Sequence, residues 1–397
     1  MALATLSPAR RAAHAVVLRT LAGGAYADRA LHGEARGLDP RDRALAKQLA
    51  FGTVQRRLTL DHVIARHVDR ELEPGVRAAL QLGLFQLLFL DGVAAHAAIG
   101  EAVELAKPSP GHRLVNAVLR RVQREGAELP SDATPEGASI RHSHPRWMVD
   151  LWWDWLGPDA TRALLAADNE PAELALRVNA LVDYELDDVP GRREGETIVV
   201  DGPFDALAHP GYAAGAFTPQ SRASQLVGRT LAPAPGERVL DLCAAPGGKT
   251  THLAALMEAT GEVVAVERHP QRARALQATS VRMQAANVTV VTADAKAYDG
   301  AGRFDRVLLD PPCSGLGTLR SHPDLRWRTS PRAIAQLAAE QDALLGAARR
   351  ALAPGGTLVY SVCTLSPHEE RLSSEDVRRT FPHVDGTDGF YIARDGG

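Results

Sequence analysis

The chain runs to 397 residues, 45% apolar and 23% charged, with 34 Gly and 25 Pro, which suits two or three domains with buried cores and excludes a disordered or low-complexity chain. A formal charge of −3 excludes coating of nucleic acid by bulk charge, and three cysteines exclude a disulfide framework or a cysteine-rich zinc module. No run of about 18 apolar residues marks a membrane span, and Arg10, Arg11 and His14 interrupt any signal-peptide core.

Residues 8–126 read as helix after helix. Ala13, Val16, Val17 and Leu21 recur at helical spacing before Gly23-Gly24. Leu80, Leu84, Leu87 and Leu88 form a second stripe, and Leu114, Val115, Val118, Leu119 and Val122 a third, closed by Gly126. The pattern predicts an all-α bundle over 1–130. That segment carries 18 Lys/Arg against 13 Asp/Glu, a net of +5, with Arg113, Arg120, Arg121 and Arg124 largely off the apolar stripe. An anionic partner and ordinary solvated helix faces explain the surplus equally well.

Turn-formers from Pro130 to Ser139 predict a linker or surface crossing over about 127–145. A helical segment rich in tryptophan follows (Trp147, Trp152, Trp153, Trp155), and strand candidates Leu174–Val178 and Thr197–Val200 complete a small mixed α/β region within 131–217. Beyond, over 218–397, strand and helix alternate, the signature of a doubly wound, mostly parallel sheet. The strand candidates are Arg238–Leu242, Val263–Glu267, Val288–Thr292, Phe304–Leu309, Thr357–Val362 and Phe390–Ala393, with helices near 249–259, 270–286 and 331–352.

The first turn of this α/β region reads Asp241-Leu242-Cys243-Ala244-Ala245-Pro246-Gly247-Gly248-Lys249-Thr250. Small residues and paired glycines after a strand let a ligand approach the backbone at a helix N-terminus. Gly248-Lys249-Thr250 nearly completes a phosphate-binding loop, but Cys243 stands where that motif begins with glycine. Glu267 ends the next strand, where a carboxylate accepts the ribose hydroxyls of an adenosine-containing ligand. Asp294 ends the third, within reach of an adenine amino group. Each acid alone reads equally as a loop residue or helix cap; successive placement at strand ends favours a shared ligand.

The fourth strand ends Asp310-Pro311-Pro312-Cys313-Ser314-Gly315 and the fifth Val362-Cys363-Thr364. All three cysteines therefore fall on the carboxyl edge of the sheet, where such folds bind ligands. A single cysteine there is ordinarily a small apolar packing group. Ser366-Pro367-His368-Glu369 reads as N-cap, first-turn proline and capping-box glutamate, which predicts a helix N-terminus favouring thiolate at Cys363. Two thiols beside a nucleoside-type site suit one reaction well. Carbon 5 of cytosine becomes nucleophilic once a thiolate adds to carbon 6, and the enamine then takes a methyl from a sulfonium donor. A base removes the C5 proton before the thiolate leaves. This chemistry alone leaves open which thiol attacks.

Through "DLCAAPGGKT", "LLDPPCSGLGTLRSHPDLRW" and "GTLVYSVCTLSPHEE", in order and spacing, nearly the whole chain resembles the Fmu/Sun/RsmB family of bacterial 16S ribosomal RNA cytosine-5 methyltransferases. The resemblance implies a NusB-like RNA-binding bundle followed by a Rossmann-like domain that uses S-adenosylmethionine and no metal. It implies that Cys243, Ala244, Ala245, Pro246, Gly247, Gly248 and Lys249 form the cofactor loop, with Glu267 the ribose acid, Arg272 a cofactor-proximal arginine and Asp294 the adenine-side acid. Asp310 would lie between methyl donor and target base. Cys363 would be the attacking nucleophile, and Cys313 the thiol that assists product release. Small-subunit ribosomal RNA is the implied partner of a cytoplasmic monomer with no membrane contact.

Some positions depart from the family pattern. His368 and Glu370 replace the Glu and Asn of Pro-Glu-Glu-Asn, acidic residues are missing after Gln220, and 177–217 is short for an RRM-like subdomain. Three rival readings are a P-loop-like nucleotide hydrolase, a non-catalytic RNA-binding or antitermination module, and an NAD-dependent dehydrogenase. The last leaves Cys313 and Cys363 idle.

Overall fold

A computed structural model describes residues 6–396. The chain divides into two compact units, one running to Pro171 and including Leu319–Arg328, the other comprising Ala172–Thr318 and the chain from Thr329 onward.

The first unit is helical. Helices Pro8–Leu21, Ala27–Glu34, Pro40–Gln55, Arg57–Ala65, Pro74–Phe89, Ala95–Ala106 and His112–Glu125 enclose a core that includes Val17, Leu49, Leu60, Leu80, Leu84, Ile99 and Leu119. Ser7 and Asp39 cap two of these helices, each followed by proline at the first position. Helices Pro135–His142, Arg146–Leu156 and Pro158–Ala167 complete the unit. The first of these corrects the expectation of a linker over 127–145. The Thr134 hydroxyl accepts the Gly137 N–H at 3.2 Å and Pro135 opens the helix. Turn-forming residues here start a helix, because capping and turning use the same side-chain acceptors.

Leu319–Arg328 belongs to this helical unit although it continues the Pro-Cys motif in sequence. Arg326 is fully buried and donates to the carbonyls of Asp168 at 2.6 Å and Ser143 at 3.2 Å and to Asn169 Oδ1 at 2.9 Å. Burial pulls its pKa down to about 9, against the opposing charge of Asp168. Trp327 Nε1 donates to the Val54 carbonyl at 2.7 Å.

In the second unit, β1 (Ala175–Val178), β2 (Gly191–Glu194), β3 (Thr197–Val200) and β4 (Phe217–Pro219) form an antiparallel sheet in the order β2-β3-β1-β4. The larger sheet contains β5 (Arg238–Leu242), β6 (Glu262–Glu267), β7 (Val288–Thr292), β8 (Phe304–Leu309), β9 (Leu352–Val362), β10 (Asp376–Thr380) and β11 (Phe390–Asp395). Its order is β10-β11-β9-β8-β5-β6-β7, with β11 antiparallel to both neighbours and β7 to β9 mutually parallel. Both faces are covered apolar layers, so the central strands are almost continuously buried. From β5 the chain proceeds outward through β6 and β7, then returns to place β8 on the other side of β5. That reversal opens a crevice at the carboxyl ends of β5 and β8, the place where open parallel sheets bind ligands.

Candidate active site

The turn after β5 is shaped by two left-handed residues. Cys243 has φ +64° and Gly247 φ +104°. A Cβ on Gly247 would lie 2.7 Å from Leu276 Cδ1, so the turn requires glycine for conformation and for space. The helix Gly248–Leu256 starts directly behind it, aiming free N–H groups at the crevice edge. Thr250 Oγ1 donates to Asp241 Oδ2 at 2.6 Å, tying the helix back to the strand. Burial pushes the Asp241 carboxyl up to about 7, with the Thr250 hydrogen bond opposing.

An open cleft lies beside this turn, lined among others by Cys243, Glu267, Arg272, Asp294 and Pro312. Glu267 is buried, and its Oε1 accepts the His269 N–H at 2.9 Å while Arg272 Nε stands 3.6 Å from Oε2. Arg272 Nη2 also donates to the Ala245 carbonyl at 2.9 Å, joining Glu267 to the glycine turn. Within the turn Ala244, Ala245 and Gly247 are buried and Pro246 is exposed. Asp294 is exposed at the cleft and accepts the Lys296 N–H at 2.9 Å. Sequence reasoning missed the Arg268–Glu340 pair, which meets at 3.0 Å across the lining. Glu340 lies on the helix Pro331–Ala351, and no local pattern told which of its turns faces the crevice.

A second cluster gathers at the ends of β5, β8 and β9. Lys249 Nζ donates to Asp310 Oδ2 at 2.7 Å, and Ser361 Oγ donates to Asp310 Oδ1 at 3.0 Å. Burial opposes the charge on Lys249, but Asp310 outweighs it and raises the pKa; the Phe390 ring sits 5.3 Å beneath the ammonium. A lysine committed in this way to a carboxylate is not presented as a phosphate ligand, which weighs against the nucleotide-hydrolase reading. Ser361 was missed, although strand alternation puts it on the same face as Cys363.

The two later cysteines meet, Cys313 Sγ to Cys363 Sγ at 3.4 Å. The hydrogen bond to Cys363, together with burial, raises the pKa of Cys313 well above that of an ordinary thiol. Cys243 is pushed up to about 12, by burial first and then by Asp310 and Asp241; it behaves as a packing thiol.

One expectation fails here. Pro367–Glu369 is a single 3-10 turn, and Ser366 makes no side-chain cap. Three residues do not build the macrodipole that was expected to favour thiolate at Cys363. The competing demand is visible: Glu369 turns inward to Ser314 and Thr364 and does not reach back to close a capping box.

Comparison with known proteins agrees with this geometry. Residues 228–377 match the 16S rRNA methyltransferase RsmB/F family, and residues 7–124 match the NusB family. The chain is 37% identical to the probable ribosomal RNA small subunit methyltransferase B of Synechocystis sp., over 88% of this chain and 83% of that protein. It is 32% identical to the ribosomal RNA small subunit methyltransferase B of Vibrio cholerae, over 97% of this chain and 96% of that protein. In fold it resembles the crystal structure of PH0851, with a TM-score of 0.81 at 24% identity, covering 98% of this chain and 99% of that one. Among the described residues, no helix is long and apolar enough to cross a membrane.

Proposed function

The chain belongs to the 16S rRNA methyltransferase RsmB/F family, and on that premise we propose that it methylates carbon 5 of a cytosine in 16S ribosomal RNA through a covalent adduct with Cys363. The observation that carries the reading is the pair of thiols at 3.4 Å, at the ends of β8 and β9. A P-loop-like nucleotide hydrolase, or a dehydrogenase that passes hydride directly to NAD, leaves that pair idle.

The residues present fit S-adenosylmethionine as the methyl donor. The buried Glu267 carboxylate has acceptor capacity left for ribose hydroxyls, Asp294 stands where an adenine amino group could donate, and the Gly247 turn admits close backbone approach. Bound there, the donor supplies an electrophilic methyl on a sulfonium. Cys363 adds as thiolate to carbon 6 of the flipped-out base, which makes carbon 5 nucleophilic. Asp310, fixed by Lys249 and Ser361, would serve as an oriented acceptor towards donor and base. After loss of the C5 proton the Cys363–C6 bond breaks, and Cys313 assists that release.

In this reading residues 1–130 hold structured RNA, 218–397 carry the reaction, and 131–217 join and support them. The setting is the cytoplasm, where the ribosomal RNA lies and thiols stay reduced. Bisulfite sequencing of small-subunit RNA from a strain lacking the protein tests the reading. One cytosine should lose its protection and regain it when the gene is restored. A complete set of protected cytosines in the deletion strain overturns it.

A further inference from the structure

Glu369 is fully buried, and its carboxylate grips both cysteine loops. Oε1 accepts the Ser314 backbone N–H at 2.8 Å and Gln341 Nε2 at 3.1 Å. Oε2 accepts the Thr364 hydroxyl at 2.9 Å and, in a closer contact, the Ser314 hydroxyl. Ser314 directly follows Cys313, and Thr364 directly follows Cys363. One carboxylate therefore holds the neighbour of each thiol, and the two hydroxyls also touch each other at 2.6 Å.

The grip is itself fixed. Tyr360 Oη lies 2.8 Å from the Glu369 carbonyl and 3.1 Å from Gln341 Oε1, its one proton shared between these two acceptors. Gln341 Nε2 also donates to the Pro312 carbonyl at 2.9 Å, so Cys313 is flanked by this network on both sides. Every donor that the Glu369 carboxylate meets among the described residues is neutral. A buried carboxylate without a cation beside it is costly unless its lone pairs are filled, as they are here. A backbone bond from Gly317 N to the Cys363 carbonyl at 3.0 Å ties the loops a second time, where Gly317 passes so near Gly389 that a Cβ would lie 1.8 Å from its carbonyl oxygen.

We propose that Glu369 is a positioning residue that sets the separation of the Cys313 and Cys363 sulfurs. The inference rests on the reading above, in which both sulfurs serve one base. Its geometric part can be measured without that reaction.

Phenylarsine oxide provides the measurement. Its trivalent arsenic bridges two adjacent thiols, forming two As–S bonds and releasing one water, with no change of oxidation state. Parent protein should be captured as a bridged species, and Cys313→Ala and Cys363→Ala should not. Glu369→Asp keeps the charge but falls short by one C–C bond, about 1.5 Å, and cannot hold both loops. Its capture rate should fall about tenfold or more, as displacements of this size do in oriented reactions. Glu369→Gln keeps the length and two of the four acceptor contacts, while its amide N–H groups can donate to the Ser314 and Thr364 hydroxyls, so it should capture within about threefold of parent. Thermal melting establishes that each variant is folded. Where Glu369→Asp does not fold, Thr364→Val removes one grip at nearly constant shape and should also slow capture. Parent-like capture by a folded Glu369→Asp, or by Thr364→Val in its place, overturns the proposal. With ribosomal RNA, Glu369→Asp should accumulate the covalent adduct expected of Cys313→Ala. Capture that depends on Glu369 in a protein that methylates no cytosine would overturn the functional reading and leave the positioning role standing.

Discussion

At the residue scale the two thiols differ by environment more than by sequence context. Burial and the contact with Cys363 raise the pKa of Cys313 well above that of an ordinary thiol, and Cys363 is the proposed nucleophile. Cys363→Ala should therefore form no covalent RNA adduct and no 5-methylcytosine. Cys313→Ala should accumulate an RNA-linked protein band that survives denaturing gels, because attack proceeds and release stalls. The reversed pattern would exchange the two roles and leave the reaction class intact. The placement of Cys243, Glu267, Asp310 and Cys363 was legible in sequence because parallel strands put chemistry at their carboxyl ends. Ser361, Glu369 and the Arg268–Glu340 pair were not legible in those roles. Each acts on a residue distant in sequence, and nothing local records which way a buried carboxylate turns.

At the element scale the turn after β5 is the part most sensitive to a single change. Gly247→Val forces a branched side chain into φ +104° and into the space of Leu276 Cδ1. Such backbone strain costs about 1–3 kcal/mol, and relief requires the turn or Leu276 to shift. Parent affinity for S-adenosylmethionine should be micromolar, roughly −8 kcal/mol, and calorimetry on the folded variant should find most of it gone. Unchanged binding would place the donor site elsewhere. The strands that build the crevice were readable as apolar runs between turns, and β5, β7 and β8 fall on the expected residues. Two of the missed strands share a cause. β2 reads Gly-Arg-Arg-Glu and β10 Asp-Val-Arg-Arg-Thr, both sheet-edge strands whose largely exposed side chains erase the apolar signal. At 366–369 the sequence carries a helix-start signature that tertiary bonding overrides, since Glu369 gains more from two buried hydroxyls and an amide than from closing a capping box.

At the scale of the whole molecule, donor chemistry and RNA binding are assigned to different units, which makes them separable by mutation. The helix His112–Glu125 buries Val115, Val118, Leu119 and Val122 and leaves Arg120, Arg121 and Arg124 exposed. Arg121 Nε donates to Glu125 Oε2 at 2.9 Å, and Arg124 lies 4.0 Å from the same carboxylate, so one acid serves two guanidiniums. Exposed pairs of this kind contribute little to folding, and a phosphate can displace them. Replacing all three arginines by Ala should weaken binding of structured RNA uniformly across sequences, since phosphate contacts position the substrate without reading it. Each lost contact should reduce the slope of log affinity against log salt by up to roughly 0.9. Affinity for S-adenosylmethionine should not change, because Glu267, Arg272 and Asp294 all lie in the other unit. Filter binding at two salt concentrations separates the outcomes. A shallower slope with intact donor binding assigns the helix face to RNA, and equal slopes for variant and parent assign these side chains to solvation of the helix.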